Sequence, residues 1–308
     1  TGTFWSVAGG WTLSNENFLK DSNFINFLSL RGSIGTSGND RLNGNGIDRG
    51  NFLALGLFGT GAFGGLSSVN VTQAASVNLG FEQSRTIAVG FRSSLLNNRV
   101  GLNVSYFKRN TTDLLFNVPV PPQTGVVSQP LNSGELENSG WEFELTADII
   151  KSKDFNWNLR LNLNTLDYEV ISIEAPGEDD QGRRFTDLGA SRLREGSPLS
   201  QFFLVRAVGV NAQTGDFEWL DVDGNITTTP DLNADRVDVG KALPDFSGGF
   251  THTLNYKNFD LSAAFNYSVG NDILVDGLRF IDGFDAIGGT INVRREILNF
   301  WRQPGDQA

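Results

Sequence analysis

Cysteine and methionine are absent from these 308 residues, and histidine occurs once, as His252. Those gaps exclude a disulfide framework, a cysteine zinc site, thiol catalysis, histidine-based triads and multi-histidine metal centres. No run of about 18 apolar residues occurs, so there is no transmembrane helix, and a strand barrel is the only membrane-spanning option left. Cations are also scarce: 24 Lys and Arg against 35 Asp and Glu give a net charge of −11. Phosphate binding relies on clustered Lys and Arg, so nucleic acid is not an expected partner. No G-x-S-x-G elbow accompanies the many serines, and Glu142 and Glu144 belong to one run of alternating polar residues rather than a glycosidase pair. The chain is therefore not expected to be an enzyme. It also lacks a secretion signal at Thr1, which reads as an internal piece of a longer precursor.

What the chain has is 36 glycines and repeated stretches of period two. From Pro244 to Gly270, Phe250, Leu254 and Tyr256 share one parity against Ser247, Gly249, Thr251, Thr253 and Asn255. After Lys257-Asn258, Phe259, Leu261, Ala263, Phe265 and Tyr267 oppose Asp260, Ser262, Ala264, Asn266 and Ser268. Residues two apart on a strand share a face, so this is a hairpin with one oily and one polar side. Each arm holds about ten residues, enough to cross a bilayer when tilted. The hairpin recurs twice. Ile87, Val89 and Phe91 alternate with Thr86, Gly90 and Arg92, and after Asn97-Asn98 come Val100, Leu102, Val104 and Tyr106. Trp141, Phe143, Leu145 and Ala147 alternate with Glu142, Glu144, Thr146 and Asp148 before Trp157, Leu159, Leu161 and Leu163 return opposite Asn158, Arg160, Asn162 and Asn164.

The connections alternate too. Those at Asn97-Asn98, Lys151 to Asp154 and Lys257-Asn258 are short, whereas the links between hairpins are long and rich in Gly, Pro, Asp and Asn. Short turns at one end and long loops at the other characterise outer-membrane barrels. The expected fold is all-β, an antiparallel transmembrane β-barrel. A secreted glycan-binding β-sandwich is the alternative, and it would bury the same oily faces under a second layer.

Ordered along the chain are Gly10-Trp11 with Glu16, Leu28-Ser29-Leu30-Arg31-Gly32-Ser33, Asn78-Leu79-Gly80-Phe81-Glu82 and Tyr106-Phe107-Lys108-Arg109-Asn110. Glu137-Asn138-Ser139-Gly140-Trp141-Glu142, Arg194-Glu195-Gly196, Pro244-Asp245-Phe246 and Phe300-Trp301-Arg302-Gln303-Pro304-Gly305-Asp306 follow. In this succession the chain resembles the barrel segment of SusC/RagA-type TonB-dependent outer-membrane transporters, from about Phe4 to Asp306. It departs at Phe81-Glu82, where the family favours Trp-Glu, and at Ser139, where a Lys or Arg is usual. The resemblance implies a fragment, residues 1–308, of a larger plugged barrel, with the N-terminal plug and final strands absent. Of the roughly 22 strands of such a barrel, about 10 to 14 are expected here. It further implies the outer membrane of a Gram-negative bacterium, nutrient import powered by the TonB complex through the plug, and a SusD-like lipoprotein partner. Oligosaccharide or peptide is the implied substrate, and membrane lipid surrounds the wall. A passive porin or adhesion barrel is the competing function.

Candidate site residues follow from parity. Arg92, Glu142, Glu144, Asp148, Arg160 and Asp260 share the polar face, as lumen-facing groups or simply a water-compatible interior. Tyr106, Trp141, Trp157, Tyr168, Tyr256 and Tyr267 lie near the ends of oily faces, as an interfacial girdle. Sugar stacking is the sharper reading of the loop aromatics Trp219 and Phe284. Asp231, Asn233 and Asp235 open like a calcium loop, but Arg236 stands in the glycine position and no glutamate occupies the twelfth. Structural Ca²⁺ and a plain Asx-turn loop are both open there, and no other cofactor is expected. His252 falls on the oily parity without an evident reason.

Overall fold

A computed structural model describes residues 2–39, 43–44, 47–48, 54–121, 123, 125–282 and 293–306. Two compact units emerge: Thr1–Thr186 with Leu193–Leu199 and Pro244–Gly270, and Asp187–Arg192 with Ser200–Leu243 and Asn271–Ala308.

The first unit is built on one antiparallel sheet. Its strands are β1 (Ser6–Thr12), β2 (Ile25–Asn39), β3 (Glu82–Leu95), β4 (Val100–Thr112), β5 (Glu135–Lys151), β6 (Phe155–Thr165), β7 (Phe246–Tyr256) and β8 (Phe259–Val269). They pair strictly in chain order, β1 through β8. A ninth segment, Asp167–Ser172, continues β6 along β5 in the same register as far as Leu136 opposite Val170, since Glu142 faces Asn164 and Asn138 faces Tyr168, and shifts by one at Glu135. The wall thus comprises these eight strands and one extension, and among the described residues the remaining strands form one seven-stranded sheet and three two-stranded ones in the connections.

Each hairpin closes at the same end of the sheet. Leu96, Asn97 and Asn98 turn the chain with φ of 55°, 56° and 62°, and Lys257 does so at 53°. Asn tolerates this left-handed region better than other side chains do. The turns are also tied sideways. Leu96 N–H donates to the Phe24 carbonyl (2.9 Å), Arg99 Nη2 to the Asp148 and Ile149 carbonyls (3.0 and 2.9 Å), and Lys257 N–H to that of Asp154 (2.9 Å).

One face of this sheet is apolar and uncovered. Val89 is 50% exposed, Trp141 46%, Leu261 60% and Phe265 52%. A soluble sandwich would place such side chains beneath a second layer, and among the described residues no such layer exists. The buried apolar cluster, Val170, Ile173 and Leu193 packed by Phe116, Leu136 and Ala175, lies instead at the long-link end. Ile87 to Leu95 runs about 26 Å along β3 at ~3.3 Å per residue, or about 20 Å along the membrane normal at a ~40° tilt. That is close to the apolar band of an outer-membrane barrel.

The ordered motifs are explained by what they hold together. Glu82 accepts Leu115 N–H (2.9 Å) and Asn39 Nδ2 (2.7 Å), so it pins β2 and the β4–β5 link to the start of β3. Asn132 donates to the Gly80 and Asp113 carbonyls (3.1 and 2.8 Å) and accepts Gly80 N–H (2.6 Å). Glu195 accepts the N–H groups of Ile173 (3.1 Å) and Arg184 (3.0 Å), while Gly196 turns at φ 70° and donates to the Val170 carbonyl.

The second unit centres on Gln201–Val210, which pairs with Arg236–Lys241 along its first half and with Phe217–Leu220 along its second. Trp301 lies against Gly215 and donates its indole N–H to the Ala212 carbonyl (2.9 Å). Asp306 accepts the amides of Arg302 and Gln303 (2.9 and 3.2 Å), which shapes the Phe300–Asp306 motif into a closed turn.

Candidate functional site

Register turns the parity of separate strands into rows on the polar face. Arg92 pairs with Asn103, Asn103 with Glu144, and Glu144 with Asn162. In the next row toward the long links, Gly90, Ser105, Glu142 and Asn164 lie side by side, and toward the short turns Gly101, Thr146 and Arg160 follow. Asp148 lies opposite Asn158, and Asp260 opposite Asn255. All six anticipated polar-face residues therefore share one side of one sheet.

These groups are cross-linked. Arg31 Nη2 donates to Asn103 Oδ1 (2.9 Å), and Asn103 Nδ2 passes the interaction on to Glu144 Oε2 (2.9 Å). Ser105 Oγ donates to Glu142 Oε2 (2.9 Å), Asn158 Nδ2 to Asp148 Oδ1 (2.9 Å), and Asn255 Nδ2 to Asp260 Oδ1. Around Arg31, Arg92, Asn103, Glu144 and Thr146 the sheet curves into a concavity of about 620 Å³. Arginine and carboxylate held apart by amide side chains leave hydrogen-bonding capacity of both signs exposed to water. Arg31, Asn103 and Ser105 were not singled out from sequence. Their parity was visible, but only cross-strand register shows that they connect the charged groups.

The apolar face carries its aromatics at two levels. Toward the long links, Tyr106 and Trp141 pair across strands with ring centroids 4.9 Å apart, and Phe246 and Tyr267 lie 6.2 Å apart. At the short-turn end Trp157 and Tyr256 occupy the same face. Tyr168 does not join them. It faces Asn138, which faces Arg109, and so sits on the polar parity beyond the belt. Its number was even in a strand whose oily residues are odd, so counting on from Leu163 would have shown this. The odd position of His252 also resolves, because its Nδ1 accepts the Trp157 indole N–H (3.1 Å).

In the acidic loop the carboxylates face inward to their own backbone. Asp231 Oδ1 accepts Asn233 and Ala234 N–H (2.8 and 3.0 Å), and Asp235 accepts Val222 and Asp231 N–H (3.1 and 2.7 Å). The Ala234 and Asn233 amides hold the Asp231 carboxyl below its ordinary range. Among the described residues no group of three acidic or histidine side chains is placed to hold a metal, and of Asp231, Asn233 and Asp235 it is Asp231 that makes an Asx turn, through the Asn233 and Ala234 amides. Trp219 stacks at a tilt on Phe217, 4.6 Å between centroids. Phe284 lies outside the described residues.

A different clamp organises the second unit. Arg192 donates to both Asp187 oxygens (2.6 and 3.0 Å) and lies 3.5 Å over the Phe203 ring. Arg236 approaches the same carboxylate (3.4 Å) and donates to the Phe203 and Gly189 carbonyls (2.9 and 2.6 Å).

Comparison with known proteins decides what this wall belongs to. The profile described as "TonB dependent receptor-like, beta-barrel" matches residues 1–292. The chain belongs to the TonB-dependent receptor barrel family. Among relatives of this receptor barrel, TonB-dependent receptor P3 of Formosa agariphila is 32% identical over 97% of the chain, and TonB-dependent receptor SusC of Bacteroides thetaiotaomicron is 30% identical over 90%. The chain spans only 30% and 28% of those two proteins. The RagAB peptide transporter structure superposes with a TM-score of 0.81 at 25% identity, over 99% of this chain and 33% of that one. The meander β1–β8 is accordingly part of a TonB-dependent receptor wall.

Proposed function

We propose that the protein takes part in active nutrient import across the outer membrane of a Gram-negative bacterium, driven by the TonB complex. The observation that carries this reading is the eight-strand meander with an uncovered apolar face and a hydrogen-bonded polar face, in a chain of the TonB-dependent receptor family. The wall residues Arg92, Glu142, Glu144, Asp148, Arg160 and Asp260 line the lumen, and Tyr106, Trp141, Trp157, Tyr256 and Tyr267 seat the wall at the two interfaces. Oligosaccharide or peptide is the proposed cargo, delivered with a SusD-like surface lipoprotein, and likeness to SusC and to the RagAB peptide transporter supports that pairing. The residues supply passage and recognition; no bond-making chemistry is assigned to them.

A test is uptake of labelled peptide and oligosaccharide mixtures by cells carrying or lacking the gene, with and without a proton uncoupler. Energy-dependent uptake that disappears with the gene supports the reading. Uptake unaffected by the uncoupler would instead identify a passive porin.

A further inference from the structure

Charge is unevenly placed on the polar face. Arg31 on β2 faces Gly90 on β3, and Arg92 stands two residues further on, so the two are diagonal neighbours with Cα atoms about 7–8 Å apart. Both are exposed and both line the concavity of about 620 Å³, where Ser94 and Gly101 keep the floor low. Arg31 donates one N–H to Asn103 (2.9 Å), and among the described residues Arg92 makes no hydrogen bond or ion pair. Carboxylates lie elsewhere. In the rows of Ala88, Gly90, Arg92 and Ser94, strands β1–β4 hold none. The nearest is Glu144 on β5, two strand spacings or about 9.5 Å from Arg92. It accepts Asn103 Nδ2 and has Arg160 as its own diagonal neighbour on β6. Glu142 accepts Ser105 Oγ, Asp148 is engaged by Asn158 and Lys151 (2.9 and 3.7 Å), and Glu16 accepts the Trp11 indole N–H (2.9 Å). Among the described residues, the positive charge of Arg31 and Arg92 is therefore left without a counter-ion on the wall.

We infer, resting on the import reading above, that Arg31 and Arg92 together bind a carboxylate carried by the cargo, either a uronate of an acidic oligosaccharide or the C-terminal carboxylate of a peptide. A guanidinium offers a planar fork of N–H donors that matches two carboxylate oxygens, and two guanidiniums opening into one concavity can share such a group. Like charges this close repel, so an anion between them is favoured over a neutral ligand. Glu144, beyond Asn103, repels a second carboxylate and gives the ligand one direction in which to lie, acid toward β2 and β3. A neutral oligosaccharide carries no group that answers this pair.

The test is arginine labelling of the purified full-length receptor with phenylglyoxal, read residue by residue by mass spectrometry. The probes are tetragalacturonate and N-acetyl-tetraalanine, each against its methyl ester, with acetate as a free anion. At least one acid is expected to protect Arg31 and Arg92 at a concentration about tenfold below that of its ester. The acid that acts at the lower concentration names the source. Arg109, on the same face but bonded to Thr86, should label equally with and without probe. In Arg92→Gln, protection of Arg31 should require about fivefold more of that acid, because the two side chains share one group. Equal protection by acid and ester overturns the proposal, as does no protection by either acid, or protection by acetate as strong as by the oligomers. That comparison is made on the wild-type protein, so misassembly of a variant does not rescue the idea. Labelling needs no energy source: uptake indifferent to an uncoupler would remove active import and leave the protection intact, whereas unprotected arginines would remove the site and leave uptake as it was.

Discussion

At the scale of single residues, the wall solves two local problems in ways that can be measured. His252 is a polar ring on the apolar face, and the Trp157 indole N–H satisfies its Nδ1 at 3.1 Å. Trp157→Phe leaves that nitrogen unpaired in an apolar setting, which costs about 1–3 kcal/mol. Adding His252→Leu removes the unpaired group, and the double variant is expected to recover most of the loss in urea-titrated refolding into bilayers. Non-recovery would show that the two rings act independently. Gly248 is the second case. It faces Tyr267 across β7 and β8, and a Cβ there would strike both the Asn162 carbonyl and the phenol oxygen, 2.7 Å away. The ring covers the glycine and donates its hydroxyl to that carbonyl at 3.1 Å. Gly248→Val is therefore expected to destabilise the sheet by more than Tyr267→Phe, which removes one hydrogen bond worth about 0.5–1.5 kcal/mol.

At the scale of elements, the two faces of a single strand should respond oppositely to the same substitution. Leu161 and Asn162 are neighbours on β6, on the apolar and polar parities. Leu161→Lys places a charge in hydrocarbon and is expected to cost about 2–4 kcal/mol, whereas Asn162→Lys meets water. Comparable losses in the refolding titration would contradict the assignment of faces. The Asp187 clamp gives the second unit a different sensitivity. The hydrogen bond from Arg192 holds the Asp187 carboxyl below its ordinary range, with the Arg192 and Arg236 charges acting the same way against partial burial. A folded pKa below the unfolded one gives stabilisation that is present above the unfolded carboxylate pKa, about 3.9, and is lost as pH falls through the folded value. Asp231 shifts in the same direction. Amide exchange protection around 187–192 and 231–235, corrected for intrinsic rates, is thus expected to drop only below about pH 4. Asp187→Asn should cause the 187–192 part of that drop at neutral pH, and full protection in that variant would mean the clamp contributes little.

At the scale of the whole molecule, β1 and β8 each have one hydrogen-bonded neighbour among the described residues, so the wall is an open sheet with two free edges and a greasy face. Exposed edges of that kind template association. Residues 1–308 produced alone are expected to aggregate or to require detergent. Co-production with the rest of the barrel should yield a species that resists unfolding on an unheated gel. A monodisperse, detergent-free product from the isolated chain would be incompatible with a lipid-facing wall.

Much of this was open to inspection before any coordinates. The period of two, the three short turns and the absence of a long apolar run lead to a membrane barrel wall, because face and length in a strand are local properties of the chain. The Phe300–Asp306 and Arg194–Gly196 motifs could be recognised but not explained, since their partners, the Ala212–Gly215 turn and the Ile173 and Arg184 amides, are distant in sequence or unmarked by pattern. Parity places Arg92 and Glu144 on one side of their strands, but only register joins Arg31, Asn103 and Glu144 into a relay or sets Arg31 diagonally beside Arg92. The acidic loop shows the same division. Its composition allows either a cation or Asx turns, and only the folded backbone shows that its own amides are directed at Asp231 and Asp235. Alternation along one strand is written residue by residue, whereas which strands meet, and at what offset, is settled by contacts between segments that share no local signal.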